Sequence, residues 1–339
     1  MTVLSPPLPH LSNSHVQRLP AARGDLGEWM VRRLRGLSCT APPRVAAGDV
    51  LADEDAQLTL HCIYELSYRG FTGIDDAMER DPEVMMLGRR LEVAMELYLR
   101  EQLSAHPIDP RRVLMELAAP SDGPSLSAFM LERGDAAELR ELMIHRSAYQ
   151  LKEADPHSWG LPRLSGRAKA AMVEIQFDEY GGGQPGRSHA ELFATTMAAL
   201  DLDPTYGRYL DRLPAVTLAT GNLISLFGLQ RRLLPALIGH LALFEMTSTG
   251  PMQRYSDALG SIGIGSAGRE FFDVHVVADA HHCIVALEDL VGGMVDDDPG
   301  AGPEICFGAL ALAHVESRFS SHVMSAFSNG GSSLRDDHR

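Results

Sequence analysis

Three side chains within residues 275–282 offer the ligands of a metal site. His275, Asp279 and His282 are spaced i, i+4 and i+7, so on a helix they would lie within roughly 60° of one another. Two imidazoles and one carboxylate on one stripe suit iron, because that ligand set leaves positions open for oxygen and substrate. The flanking valines and alanine predict a buried segment, where polar groups in register need a common partner. The spacing therefore predicts that these three residues bind metal.

Two earlier carboxylates are candidate ligands for the same site. Glu179 continues an apolar stripe that includes Met172 and Ile175, and a carboxylate on an apolar face must be paired, neutralised or bound to metal. Glu153 shares a stripe with Leu142 and Tyr149. For Glu153, a solvated position in the last turn of its helix is an open alternative.

His189 follows three consecutive glycines, Gly181–Gly183. Glycine lets the chain turn sharply, so Glu179 and His189 can converge from adjacent helices, although a lone histidine often has no role. Helical bundles build di-iron sites from inward-facing carboxylates and histidines, usually with two Glu-x-x-His motifs. This chain does not show that pair of motifs. It shows a different series, which we take as the candidate catalytic and metal-binding residues: Glu153, Glu179, His189, His275, Asp279 and His282.

Other polar side chains are candidates for a substrate pocket. His240 and Glu245 lie on the apolar run 233–246, and Glu245 could also serve as an extra ligand. A hydrogen bond to another helix is an equal alternative for both. Arg254 follows a predicted helix break at Gly250-Pro251 and could bind a substrate carboxylate bidentately, or form a surface ion pair. The candidate pocket residues are thus His240, Glu245 and Arg254.

Several neighbours of these candidates have weaker assignments. His145 and His157 could orient Glu153 by contacting it on the side away from the metal. His281 points away from the ligand stripe, and Lys152 faces elsewhere on its helix than Glu153; we give neither a role. A nucleophilic cysteine in the pocket would indicate a cofactor-free hydrolase, but Cys283 lies off the stripe.

The elements that must position these residues are helical. Strand signals are almost absent, so the predicted fold class is all-α. Asp81 and Pro82 form a helix start, as an N-cap followed by a proline at the first helical position. The helices are predicted at 53–69, 81–103, 135–153, 166–180, 189–200, 233–246, 266–290 and 304–327, with a short helix after the loop at 121–125.

The predicted domain organisation is a single helical domain, residues 46–327, between two flexible ends. Residues 1–45 are rich in Pro, Ser and Arg and predict a loose arm with at most one short helix near 27–37. Residues 328–339 predict a flexible tail. No repeat of fixed period is visible.

Composition limits the class of protein further. The 339 residues are 45% hydrophobic and 22% charged, with a net charge of −15, which argues against nucleic acid and anionic membranes as partners. The four cysteines are widely spaced without a C-x-x-C pair, so reduced thiols in the cytoplasm are expected. We see no signal peptide, and the most apolar run, 233–244, is too short to span a bilayer.

Four segments of the chain resemble the haem-oxygenase-like di-iron oxidases and oxygenases, often labelled iron-containing redox enzymes. They are HRSAYQLKEADPHSW (145–159), DEYGGGQPGRSH (178–189), ALFEMTSTGPMQRYS (242–256) and HVVADAHH (275–282). The resemblance covers roughly residues 55–325, and within the family it is strongest to the central domain of the streptozotocin-pathway N-oxygenase. It implies a seven-helix bundle of haem-oxygenase type, without haem and here with extra N-terminal helices.

The resemblance also implies an activity. The six candidate residues would hold two Fe(II) ions per chain, the second of them weakly in several members, and O2 would be the co-substrate. The substrate would be a small amino-acid-like molecule, N-oxygenated at an amine or guanidine in natural-product biosynthesis. Oxidative decarboxylation and carbon–carbon cleavage or desaturation are the alternatives on the same scaffold. A non-enzymatic metal-binding protein is a further alternative, though the site is richer in nitrogen than storage requires. An external electron donor and a homodimer are open expectations.

Overall fold

Helices are the regular secondary structure of the part of the chain that the structure describes. The structure is a computed structural model and describes residues 17–103, 108–120 and 123–336. No strand occurs in these ranges, which confirms the all-α prediction. The α-helices are α1 (Asp25–Leu34), α2 (Glu54–Glu65), α3 (Pro82–Gln102), α4 (Pro110–Ala118), α5 (Leu126–Arg133), α6 (Ala136–Gln150), α7 (Asp155–Ser158), α8 (Gly166–Glu179), α9 (His189–Ala199), α10 (Ala215–Leu229), α11 (Leu234–Ser261), α12 (Ser266–Ile284), α13 (Gly292–Asp297) and α14 (Gly302–Ser328).

Helix α11 is the central element of the site scaffold. It packs chiefly against α12 and α14, and also against α4 and α5. Gly239 and Gly308 let the backbones of α11 and α14 touch, since a Cβ on Gly239 would overlap the Ile305 carbonyl oxygen and one on Gly308 the Ala236 oxygen. Most of its residues from 236 to 245 are buried, as the apolar run predicts.

The predicted break in α11 at Gly250-Pro251 is wrong. The helix continues through Pro251 for 28 residues in all. Proline removes one backbone donor and normally kinks or ends a helix. Here Met252, Tyr255 and Leu259 are buried beyond the proline, so tertiary packing continues on the same helix and outweighs the local preference.

The start of the chain is better packed than the sequence predicts. Helix α1 buries Trp29 and Met30 against α2, and the Asp55 carboxylate accepts hydrogen bonds from the first backbone N–H groups of α1, those of Leu26 and Gly27. The short helix predicted near 27–37 is thus present as α1, but it is packed against α2 and is not part of a loose arm. Residues 1–16 lie outside the described residues.

The predicted tail is also partly ordered. Ser333 is buried, and its hydroxyl lies 2.9 Å from Nε2 of His145. Arg335 pairs with Glu54 at 2.8 Å, which fixes this segment against α2. The prediction of a flexible tail is thus wrong for 332–335, while residues 337–339 lie outside the described part of the chain.

Several helix boundaries differ from those that the sequence predicts. Helix α6 ends at Gln150, so Glu153 lies in a turn, and α12 passes into a π-helix at 285–291. The helices α4, α7, α10 and α13 are additional to those predicted. Across the described residues, no helix has the length and apolarity needed to cross a membrane.

Candidate metal centre

Helix α12 directs the predicted stripe of ligands into the protein interior. His275, Asp279 and His282 are all buried. Nδ1 of His275 donates a hydrogen bond to the Phe271 carbonyl oxygen at 2.6 Å, which leaves Nε2 directed at the site, 3.6 Å from Oε2 of Glu153. A backbone carbonyl that fixes the ring in this way is a common support of metal-binding histidines.

The turn after α6 places Glu153 in the same interior. The side chain of Gln176 donates a hydrogen bond to the Ala154 carbonyl oxygen at 2.8 Å, which holds the turn against α8. Lys152 points the other way and forms a buried ion pair with Glu65. Glu153 is buried, so the solvated alternative for this residue does not apply.

The glycine turn brings Glu179 and His189 together. Gly181, Gly182 and Gly183 have φ values of 66°, 63° and 73°, a region that L-residues with a Cβ seldom adopt. Helix α9 then starts at His189 behind a capping box made by Ser188 and Glu191. The result is a separation of 3.0 Å between Nδ1 of His189 and Oε2 of Glu179.

Two ligand groups result, and they share one carboxylate. In each, one potential ligand atom per residue lies within 4.8 Å of all the others. Glu179 belongs to both groups, as the bridging ligand of a two-metal site would. Oδ1 of Asp279 lies 3.7 Å from Nδ1 of His282, next to the second group. The groups are Glu153, Glu179, His189 and His275, and Glu179, Glu245 and His282.

Buried atoms of these residues lack hydrogen-bond partners. Glu179 Oε2 and His189 Nδ1 are close, but their orientation does not give a hydrogen bond. Unsatisfied buried polar atoms are costly and need an explanation, and cations among them would supply one. Three of the residues with such atoms, Glu153, Glu179 and Asp279, line a cavity of about 20 Å³, which has room for a water or an ion. The unpaired atoms are Glu153 Oε2, Glu179 Oε2, His189 Nδ1, Asp279 Oδ1 and His282 Nδ1.

The electrostatics also favour bound cations. Burial and the neighbouring Glu179 carboxylate raise the pKa of Glu153 well above its usual value, and burial with the Asp279 carboxylate raises the pKa of Glu245 to about 8. For Glu179, burial is outweighed by the His189 imidazole, which lowers its pKa to about 2. No lysine or arginine lines this cavity among the described residues. The four carboxylates would balance the charge of two divalent ions.

Two supporting contacts have no signal in the sequence pattern. Ser248 donates a hydrogen bond to Oδ2 of Asp279, and Nε2 of His282 donates one to Oδ2 of Asp178 at 3.0 Å. Asp178, the residue before Glu179 on α8, thus orients a candidate ligand on α12. Such contacts fix the direction of metal ligands.

Some sequence-predicted neighbours lie elsewhere. His145 contacts Thr217 at 2.7 Å and Ser333, so the prediction that it orients Glu153 is wrong. His157 lines the small cavity and contacts His240 at 3.2 Å. His281 is exposed and contacts Glu174. Of the two cavities described in this site, neither is lined by a cysteine, which argues against the hydrolase alternative.

A second cavity of about 440 Å³ adjoins the first, and Phe244 and Ser248 line both. None of the three predicted pocket residues lines this larger cavity. His240 is fully buried and stacks on Phe244, Glu245 lines the smaller cavity instead, and Arg254 donates a hydrogen bond to the lining residue Ser127 at 2.8 Å.

Comparison with known proteins agrees with this geometry. Residues 140–317, more than half of the chain, match the family model described as iron-containing redox enzyme. The chain belongs to this family. Among curated proteins, none matches the chain. The matched range of the iron-containing redox enzyme family includes every residue of both ligand groups, so the protein is an iron-dependent oxidoreductase by family.

Proposed function

We propose that the protein binds two Fe(II) ions per chain and uses O2 to oxidise a small amino-acid-like substrate, by N-oxygenation of an amine or guanidine. The observation that carries the proposal is the pair of ligand groups joined through Glu179. The size of the enclosed cavity, about 20 Å³, supports iron ions rather than a haem. The resemblance to the streptozotocin-pathway N-oxygenase supports N-oxygenation over the other outcomes.

Each side chain has a defined task in this proposal. Glu153, His189 and His275 would complete the site of one ion, and Glu245, Asp279 and His282 that of the other. Iron would supply the one-electron chemistry that lets O2 react with an organic molecule. Ser248 and the Phe271 carbonyl oxygen keep Asp279 and His275 oriented, and Tyr149 and Phe244 exclude bulk water from the small cavity.

The test is oxygen consumption by protein loaded anaerobically with Fe(II). Candidate amines and guanidines are added, O2 uptake is measured, and products are identified by mass spectrometry. Hydroxylamine, nitroso or nitro products support N-oxygenation. Carbon dioxide or an alkene would instead favour the decarboxylase or the lyase and desaturase alternatives.

Zinc-loaded protein is the matched control, because zinc fits the same ligands and has no redox chemistry. Full activity with zinc and no O2 uptake with iron would contradict the proposal. Iron binding without O2 uptake for any substrate class would favour the non-enzymatic alternative. The proposal also includes an external electron donor, a cytoplasmic location and a homodimer. Size-exclusion chromatography with light scattering tests whether the protein is a homodimer.

A further inference from the structure

The larger cavity extends along one face of α11, away from the metal centre. Ser248 lies at the end next to Asp279, and Tyr255, seven residues later, lies beside Arg146. That separation corresponds to roughly 10 Å along the helix axis. Most of the wall between these ends is apolar, with Leu142, Met143 and Phe193 among its residues.

One ion pair provides the charge on this apolar wall. Among the described residues, Arg146 and Glu316 are the charged side chains that line the cavity. They pair bidentately, with N···O distances of 3.0 and 2.9 Å. Their side chains remain 17% and 25% exposed, so a ligand in the cavity can reach both groups.

Both members of the pair can form further hydrogen bonds. A guanidinium has five N–H donors and a carboxylate about four acceptor positions, and this pairing uses two of each. A ligand with only a carboxylate would be attracted by Arg146 but repelled by Glu316. A ligand with only an ammonium group would be attracted by Glu316 but repelled by Arg146. A molecule that carries both charges side by side satisfies both residues.

A similar ion pair elsewhere shows which feature matters. Arg100 and Glu304 also pair bidentately, at 3.1 and 2.8 Å, and Arg100 lies over the ring of Phe307 as Arg146 lies over Phe319. This second pair does not line the cavity. Both ion pairs therefore share the same bidentate geometry with the arginine packed over a phenylalanine ring. Arg146 and Glu316 differ from the second pair because they line the cavity.

We propose that the larger cavity binds an α-amino acid as a zwitterion, with its carboxylate on Arg146 and its ammonium group on Glu316. The side chain of the ligand would lie along the apolar wall and end near Ser248. This inference rests on the proposed function, because only the metal centre makes the bound amino acid a substrate. It places the α-amino group away from the metal centre, so the reacting atom belongs to the side chain.

Three probes of eight carbons each test the recognition. Binding of 2-aminooctanoate, octanoate and octylamine to the full-length chain is measured by calorimetry, with Fe(II) under argon and without metal. Because it gains one further charge-assisted hydrogen-bonding group, 2-aminooctanoate should bind at least about tenfold more tightly than either partial analogue. Equal affinity of all three, or tightest binding of octanoate or octylamine, would overturn the inference.

Single and double variants test which charged group of the ligand each of the two residues binds. Arg146→Met should weaken the binding of 2-aminooctanoate and octanoate but not that of octylamine. Glu316→Gln should weaken the binding of 2-aminooctanoate and octylamine but not that of octanoate. Removing one partner of a half-buried pair can unfold the protein. The double variant Arg146→Met/Glu316→Gln avoids that problem and should remove the preference for the zwitterion.

The matched control is Arg100→Met/Glu304→Gln, which removes the similar ion pair, whose glutamate lies on α14 as Glu316 does. It should leave all three affinities unchanged, and an equal loss there would overturn the inference. Preference for 2-aminooctanoate without O2 uptake would leave the amino-acid site standing and contradict the proposed function alone. O2 uptake without that preference would contradict this inference alone.

Discussion

At the residue scale, the buried stripe of α12 carries the most specific chemistry of the chain. His275→Ala, Asp279→Ala and His282→Ala should each lower iron content or abolish turnover, because each deletes a ligand while the apolar core stays intact. Iron per chain is measured by elemental analysis, and folding by circular dichroism. His281→Ala is the control on the same helix, since His281 is exposed. Three variants that keep full iron and activity would contradict the assignment.

Glu179 differs from the other carboxylates because it belongs to both ligand groups. Glu179→Ala should therefore lose both ions, whereas Glu153→Ala should lose one and keep the ion held by Glu179, Glu245 and His282. The measurement is Fe(II) stoichiometry by anaerobic titration. The opposite order, with Glu153→Ala losing both ions and Glu179→Ala losing one, would show that the bridge is assigned to the wrong residue.

Protons should compete with iron for this site. In the metal-free protein the pKa of Glu245 is raised to about 8 by burial, and contacts with Asp279 and Glu245 raise that of His282 to about 11 despite burial. Each of these shifts favours the protonated form of the group, and the proton must leave before the group binds metal. Affinity should fall as pH falls from 8 to 6, about tenfold per unit for each proton displaced.

Calorimetry in two buffers of different ionisation enthalpy counts the protons released on metal binding. Glu245→Gln is the matched variant, since it removes one of the two proton-holding groups and should reduce the number released. Affinity that does not change with pH would mean that neither group is a ligand.

At the element scale, the glycine turn between α8 and α9 sets the approach of Glu179 to His189. Gly181→Ala adds a Cβ that overlaps the Arg187 backbone and also strains a positive φ, so it should lower iron affinity. Gly183→Ala meets no atom within 4 Å and should cost only the strain, about 1–2 kcal/mol. Unfolding free energy and iron content are measured for both variants. Equal iron affinity in the two would show that this turn does not position the ligands.

The helical elements also show what sequence patterns can and cannot predict. The α12 stripe was predictable because its three residues lie on one regular helix, where spacing fixes direction. The continuation of α11 through Pro251 was not, because it depends on packing beyond the proline. Arg146 and Glu316 are 170 residues apart, so no local pattern connects them. Ser248 reaches Asp279 only after α11 and α12 pack together.

At the scale of the whole molecule, the fold class was predictable from periodicity, but the packing of the two ends was not. Helix α1 depends on Asp55 of another helix to satisfy its first N–H groups, and Ser333 is held by contacts to His145 and Glu141. Segments whose packing partners are distant in the sequence show no local pattern that predicts their order. The ligand set converges from α6, α8, α9, α11 and α12 or the turns beside them, so it exists only when the bundle is complete.

The central claim is that one completed bundle holds two irons joined by Glu179. Its most direct test is an anomalous difference map, recorded at the iron absorption edge from crystals of the chain loaded anaerobically with Fe(II). We expect two peaks per chain, one among Glu153, Glu179, His189 and His275 and the other among Glu179, Glu245, Asp279 and His282. A single peak bound by neither group, or no peak among these residues at saturating iron, would contradict it.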